Sequence, residues 1–318
     1  MEQPAELPPL SLQIVFGLAA WACLSVWVVL IMRWYSGKRV LPLARRRQVP
    51  WGGLDLLLVF IFFVLSSAAM LFAVEQILGP DAAQPAAAAV EADGAVDAID
   101  AKLETSHAIV QLFRGGNPWT ILLCIVSAVV VAPIVEEFLF RVLLQGWLER
   151  VDRRLRPNLP DLRRVIPWGV APIILSSTAF AIVHFRVAAP AINPHYLTFL
   201  MIGNSLVGIT TMVFAALLLK LKNAATLSDL GVIGNKIPQD TALGLIAAAA
   251  VILPIFIIQA LLTQILPDWI APDPIPLFCF AVALGFLYCR THRVVASVVL
   301  HMSLNAISLL ALWLFMMG

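Results

Sequence analysis

Six apolar runs, at 12–32, 56–74, 119–144, 197–219, 241–265 and 294–316, approach or exceed the ~20 residues with which an α-helix crosses a bilayer core. Within hydrocarbon every backbone N–H and C=O must be satisfied inside the protein, so runs of this length dictate helices. Two further runs are shorter or broken: 173–189, behind Gly169 and Pro172, and 275–289, behind Pro272, Pro274 and Pro276. The expected fold is therefore all-α, a polytopic membrane protein with about eight transmembrane helices. With 61% hydrophobic and 13% charged residues among 318, the composition excludes a soluble domain, and nothing in it supports nucleic-acid binding.

The formal net charge of +2 says less than the placement of the charges. If alternate loops are assigned to one side, beginning with 33–53, that side collects Arg33, Lys38, Arg39, Arg45, Arg46 and Arg47. It also holds Arg150, Arg153, Arg154, Arg156, Arg163 and Arg164, then Lys220, Lys222, Lys236, Arg290 and Arg293, making 17 of the 21 basic residues. By the positive-inside rule this side is cytoplasmic and both termini are expected outside. The first run has no basic N-terminal flank and no small-residue cleavage site, so it reads as a retained helix.

Residues 1–79 are expected to form two N-terminal transmembrane helices, 80–117 an external linker rich in Ala and acidic residues, and 118–318 the remaining membrane domain. Within the linker, 99–113 shows weak helical spacing of apolar residues. Cys23, Cys124, Cys279 and Cys289 lie in apolar runs without paired spacing and read as packing residues. Asp55 and Glu75 read as ordinary boundary residues, and Gly203 to Gly208 as a site of close helix packing.

Against this apolar background Glu136, Glu137 and Arg141 stand out, because each charge near a helix centre costs roughly 2.5 to 3.5 kcal/mol on insertion scales. Glu137 and Arg141 are four apart and can pair on one helix face; Glu136 is turned about 100° away and is available for other work. His184 follows Phe180 by four residues in a run containing Ser176, Ser177 and Thr178, and His301 precedes Asn305 by one turn. At about 1.5 Å per residue, Glu136 lies roughly 12 Å in from residue 144 and His301 roughly 10 Å in from residue 294. His184 lies about 16 Å from Ile173 but roughly 30 Å from Val165, so the depth match is expected to require a helix that begins after Pro172.

These three motifs, EExxxR, FxxxH and HxxxN in that order, resemble those of the CPBP family of intramembrane proteases, which includes the type II CAAX prenyl endopeptidases and the bacterial Abi proteins. The flanking segments Ala132-Pro133-Ile134-Val135-Glu136-Glu137-Phe138-Leu139-Phe140-Arg141 and Leu284-Gly285-Phe286-Leu287-Tyr288-Cys289-Arg290-Thr291 are also similar to family sequence. The resemblance covers roughly 118–188 and 274–310. It departs from the family in the 89 residues between His184 and Pro274, which read as a helical pair inserted at about 190–270.

The resemblance implies peptide hydrolysis by an activated water: Glu136 as general base with His184, His301 and Asn305 as the oxyanion-stabilising pair, and Glu137 and Arg141 as support. No cofactor is required on this reading. The family's description as metalloproteases leaves a divalent metal such as zinc open, with Glu136, His184 and His301 as its ligands, although no HExxH helix is present. The implied substrate is a membrane-associated peptide or protein, prenylated CAAX-type chains being the best-known class, and the implied location is the bacterial inner membrane, with the site nearer the cytoplasmic side. Two alternatives of other classes are a transporter using intramembrane charges as relays and a non-catalytic membrane scaffold.

Overall fold

The computed structural model describes residues 10–44, 48–79, 117–158, 166–184, 194–266 and 274–317. The linker expectation for 80–116, including the segment 99–113, and the basic residues Arg45 to Arg47, Arg163, Arg164 and Arg186 lie outside them. Among the described residues there are eight helices and no strand. They are α1 (Leu10–Tyr35), α2 (Gly53–Leu78), a continuous rod α3 (Pro118–Asn158), α4 (Val170–Val183), α5 (Pro194–Asn223), α6 (Ile237–Ile265), α7 (Pro274–Thr291) and α8 (Val294–Met317). Seven are long and apolar enough to cross a membrane; α4, with 14 residues, is not. At 1.5 Å per residue α4 spans about 21 Å, short of the ~30 Å hydrocarbon core.

The rod α3 is locally rewound. Asn117 accepts from the Trp119 amide (3.0 Å) and Pro118 occupies the first helical position, a pairing that starts helices well. Two π-helical segments follow, Val126–Val131 and Phe138–Gln145, separated by one α-helical stretch, Ala132–Glu137. In the first, the Ala132 amide reaches the Ser127 carbonyl, five residues back. The next donor in that series would belong to Pro133, which has none, so the Ala128 carbonyl must find a partner elsewhere.

Helices α2 and α5 pack together, as do α1 and α6, α6 and α8, and α4 and α7, while α3 touches α4 and α8. Without a hydrophobic driving force in lipid, such contacts depend on close backbone approach and polar bridges. A Cβ at Gly244 of α6 would lie 2.7 Å from the Ala296 carbonyl of α8, and one at Gly203 of α5 would meet the Met70 side chain of α2. A Cβ at Gly208 would lie 3.1 Å from Val135 Cγ1, a looser but still tight approach, which fits the expected packing role of this glycine stretch. The outward faces of α1 and α2 present Trp21, Leu24, Phe60 and Leu65, which suits a lipid-facing surface.

At the basic end, polar contacts fix the bundle. Asp55 is more than a boundary residue: it accepts from the Gly52 amide (2.8 Å), pairs with Lys222 Nζ (2.6 Å) and accepts from Asn223 (3.1 Å), tying α2 to α5. Arg293 pairs with the buried Asp240 of α6 at 2.6 Å. The reversal between α7 and α8 is made in two residues, with His292 at φ +48°. Thr291 Oγ1 accepts from the Arg293 amide (3.3 Å), and the Gly231 carbonyl accepts from the Val294 amide (3.1 Å). This turn starts α8 seven residues before His301.

Candidate active site

Glu136 and Glu137 lie at the end of the α-helical stretch of α3, immediately before the second π segment. They point to different surroundings, as the 100° rotation between neighbours requires. Glu136 is about a quarter exposed (24%), whereas Glu137 and Arg141 are fully buried. Arg141 Nε faces Glu137 Oε2 at 3.5 Å, an ion pair rather than a hydrogen bond, and Arg141 Nη1 donates to Ser176 Oγ of α4 at 3.1 Å.

Helix α4 brings in His184. It starts at Val170, after Gly169 at φ +82°, and therefore before Pro172, contrary to the expectation that the depth match requires a start after that proline. Pro172 is accommodated in the first turn, where its missing N–H has no intrahelical carbonyl to serve. Counted from residue 170, His184 lies about 21 Å along, deeper than the count for Glu136 or His301, so the meeting is made by the tertiary placement of the α4 C-terminus, where His184 is the cap, rather than by equal depth counts. His184 Nε2 lies 3.5 Å from Glu136 Oε2.

His301 of α8 lies between the two carboxylates: its Nε2 is 3.7 Å from Glu136 Oε2 and its Nδ1 is 3.1 Å from Glu137 Oε1. Hydrogen bonding limits the tautomers. His184 Nδ1 lies 2.7 Å from the Phe180 carbonyl, which can only accept, so that nitrogen carries the hydrogen. By the same reasoning an ionised Glu137 places the His301 hydrogen on Nδ1. In the neutral rings both Nε2 atoms then turn their lone pairs toward Glu136 Oε2. Phe180 stacks on His184 at 4.3 Å, and Phe180 and Phe280 meet His301 edge-on, so that His301 is nearly buried while Glu136 and His184 each stay about a quarter exposed.

Asn305 is one turn beyond His301, and its side chain donates to the Ala128 carbonyl at 2.7 Å. This is the carbonyl left without a backbone donor by Pro133. One N–H of the amide is thereby used, and the second remains as a donor in the inventory of the side chain. Glu136, Glu137, Arg141, His184 and His301 are thus brought into one cluster, with Asn305 at its edge bridging α8 to α3.

Glu136, His184 and His301 converge, yet no set of three or more His, Cys, Asp or Glu side chains among the described residues is gathered as a metal-holding group. The sequence reading missed Phe180 and Phe280 as walls of the site, and Gln145 and Glu149 as members of its buried polar network. The last two were signalled by the spacing 137, 141, 145, 149, a stripe at intervals of four.

Residues 118–228 match the family model described as type II CAAX prenyl endopeptidase Rce1-like. The matched segment carries Glu136, Glu137, Arg141 and His184, and the match supports a CPBP-family protease, an integral membrane enzyme of multi-pass helical architecture. It runs through α5, the first helix of the interval that reads as inserted, and ends before His301 and Asn305. No curated protein and no solved structure matched the chain.

Proposed function

We propose that this protein is an intramembrane endopeptidase that hydrolyses a peptide bond in a membrane-associated, CAAX-type substrate with a water activated by Glu136. The observation that carries this reading is the approach of two imidazole Nε2 atoms to Glu136 Oε2, at 3.5 and 3.7 Å, beside the rings of Phe180 and Phe280. A water there donates one hydrogen to Glu136 and the other to an imidazole nitrogen, which aims its lone pair at the scissile carbonyl. Glu136 removes the proton as the C–O bond forms, and the same proton returns to the amine when the C–N bond breaks.

The tetrahedral oxyanion needs donors. Asn305 offers its second amide hydrogen, and His301, neutral with its hydrogen on Nδ1 in the resting site, adds an Nε2–H donor once it has taken up a proton from solvent, leaving His184 Nε2 to accept from the water. Glu137 and Arg141 hold His301 from behind. We read the basic end of the bundle as cytoplasmic, with the substrate entering from that side.

The test is cleavage of a farnesylated, fluorescence-quenched CAAX peptide by the protein in liposomes. Glu136→Gln is expected to lower kcat by about 10²- to 10⁴-fold, the usual contribution of a general base. Equal cleavage by both forms would end the proposal. Treatment with a zinc chelator is expected to leave the rate unchanged, and a loss restored by added zinc would replace the glutamate-water reading with a metal one.

A further inference from the structure

The buried polar groups of α3 do not stop at Arg141. Gln145, also fully buried, donates through Nε2 to the Gly285 carbonyl of α7 (2.9 Å) and to Glu149 Oε1 (3.2 Å). Its Oε1 lies 3.3 Å from Ser176 Oγ of α4, whose one hydrogen is shared between it and the Ile173 carbonyl (3.1 Å), and that same Ser176 oxygen accepts from Arg141 Nη1 (3.1 Å). Glu137, Arg141, Gln145 and Glu149 stand in one column because α3 changes its winding between them. Residues four apart overshoot a full α-helical turn by about 40°, whereas the wider π turn falls short of one, so the two drifts offset each other along 137–149.

The column is closed from the side by bare backbone. A Cβ at Gly285 would lie 3.0 Å from Gln145 Oε1, 3.2 Å from Ile173 and 3.4 Å from Arg141 Nη1. Only a glycine lets α7 present its carbonyl to Gln145 while α4 presents Ser176 on the other side.

We propose that Gln145 is a positioning residue for the reaction: through Ser176 and Arg141 it fixes the Glu137 carboxylate and thereby holds His301 with its hydrogen on Nδ1 and Nε2 toward Glu136. Its link to the reacting atoms runs in series, from α7 backbone to Gln145, Ser176, Arg141, Glu137 and His301. This rests on the endopeptidase reading for its kinetic consequence but not for its structural one.

The test combines ¹⁵N-histidine NMR of the full chain in lipid nanodiscs, with His301 assigned by its loss in His301→Gln, and cleavage of the farnesylated peptide. In the wild type His301 is expected as the Nδ1–H form. Gln145→Met, similar in size but without the hydrogen bonds, and Ser176→Ala are each expected to give a mixture of His301 forms and to lower kcat on the order of 10- to 100-fold, as small misplacements of reacting groups do, with KM little changed. The double variant is expected to be no worse than the poorer single, because the two act in one series.

A wild-type His301 spectrum retained in folded Gln145→Met or Ser176→Ala overturns the proposal, whatever the rates. So do additive losses in the double variant. If Gln145→Met does not fold, Ser176→Ala alone decides. If the wild type itself cleaves nothing, the function assigned above is at fault and the His301 spectra still decide this point.

Discussion

At the scale of the residue, the site is organised by the contrast between two adjacent carboxylates. Glu136 is partly accessible and faces two imidazoles, while Glu137 is fully buried between Arg141 and His301. A buried ion pair contributes little net stability, but removing one partner leaves an uncompensated charge. Arg141→Met is therefore expected to destabilise the protein by about 3–5 kcal/mol, measured by denaturant unfolding in detergent micelles. Replacing both partners, Glu137→Gln with Arg141→Met, should recover much of that loss without restoring catalysis. A fully stable Arg141→Met would show that the pair is not what holds Glu137 in place.

At the scale of the element, a proline in α3 determines what Asn305 of α8 does. Pro133 withholds the amide that would reach the Ala128 carbonyl, and Asn305 supplies the donor at 2.7 Å. Asn305→Ala is expected to cost about 1–3 kcal/mol by leaving that carbonyl unsatisfied. It should also slow cleavage by about 10²- to 10³-fold through loss of an oxyanion donor. The two effects separate in one background: adding Pro133→Ala restores a backbone N–H and is expected to return the stability but not the rate. Recovery of both would reduce Asn305 to a purely structural bridge.

At the scale of the whole molecule, the site depends on three helices from distant parts of the chain being held at one depth. The close approach of α6 to α8 at Gly244 is central to this, since α8 carries His301 and is started by the clamped turn at His292. Gly244→Val would drive side-chain atoms into the Ala296 carbonyl and Val299, with an expected penalty of about 1–3 kcal/mol. The measurable consequences are a lower unfolding midpoint and a reduced kcat, because displacing α8 moves His301 away from Glu136. Full activity in this variant would mean that the register of α8 is set elsewhere.

Length and hydropathy alone determined that this chain is a polytopic helical membrane protein, because lipid offers backbone groups no alternative partner. The charges left inside the helices marked Glu136, Glu137, Arg141, His184 and His301, since each is too costly to keep without use. Residue spacing also foretold the Glu137–Arg141 pair, which is local to one helix. Only the tertiary structure decided the rest. That α4 begins before Pro172 and still delivers His184, that Asn305 serves Ala128, and that Gln145 links α3 to α4 and α7 all depend on helix ends, π segments and contacts between helices. These arise where a local hydrogen-bond pattern breaks and a distant segment completes it, and spacing within a single helix carries no record of that partner.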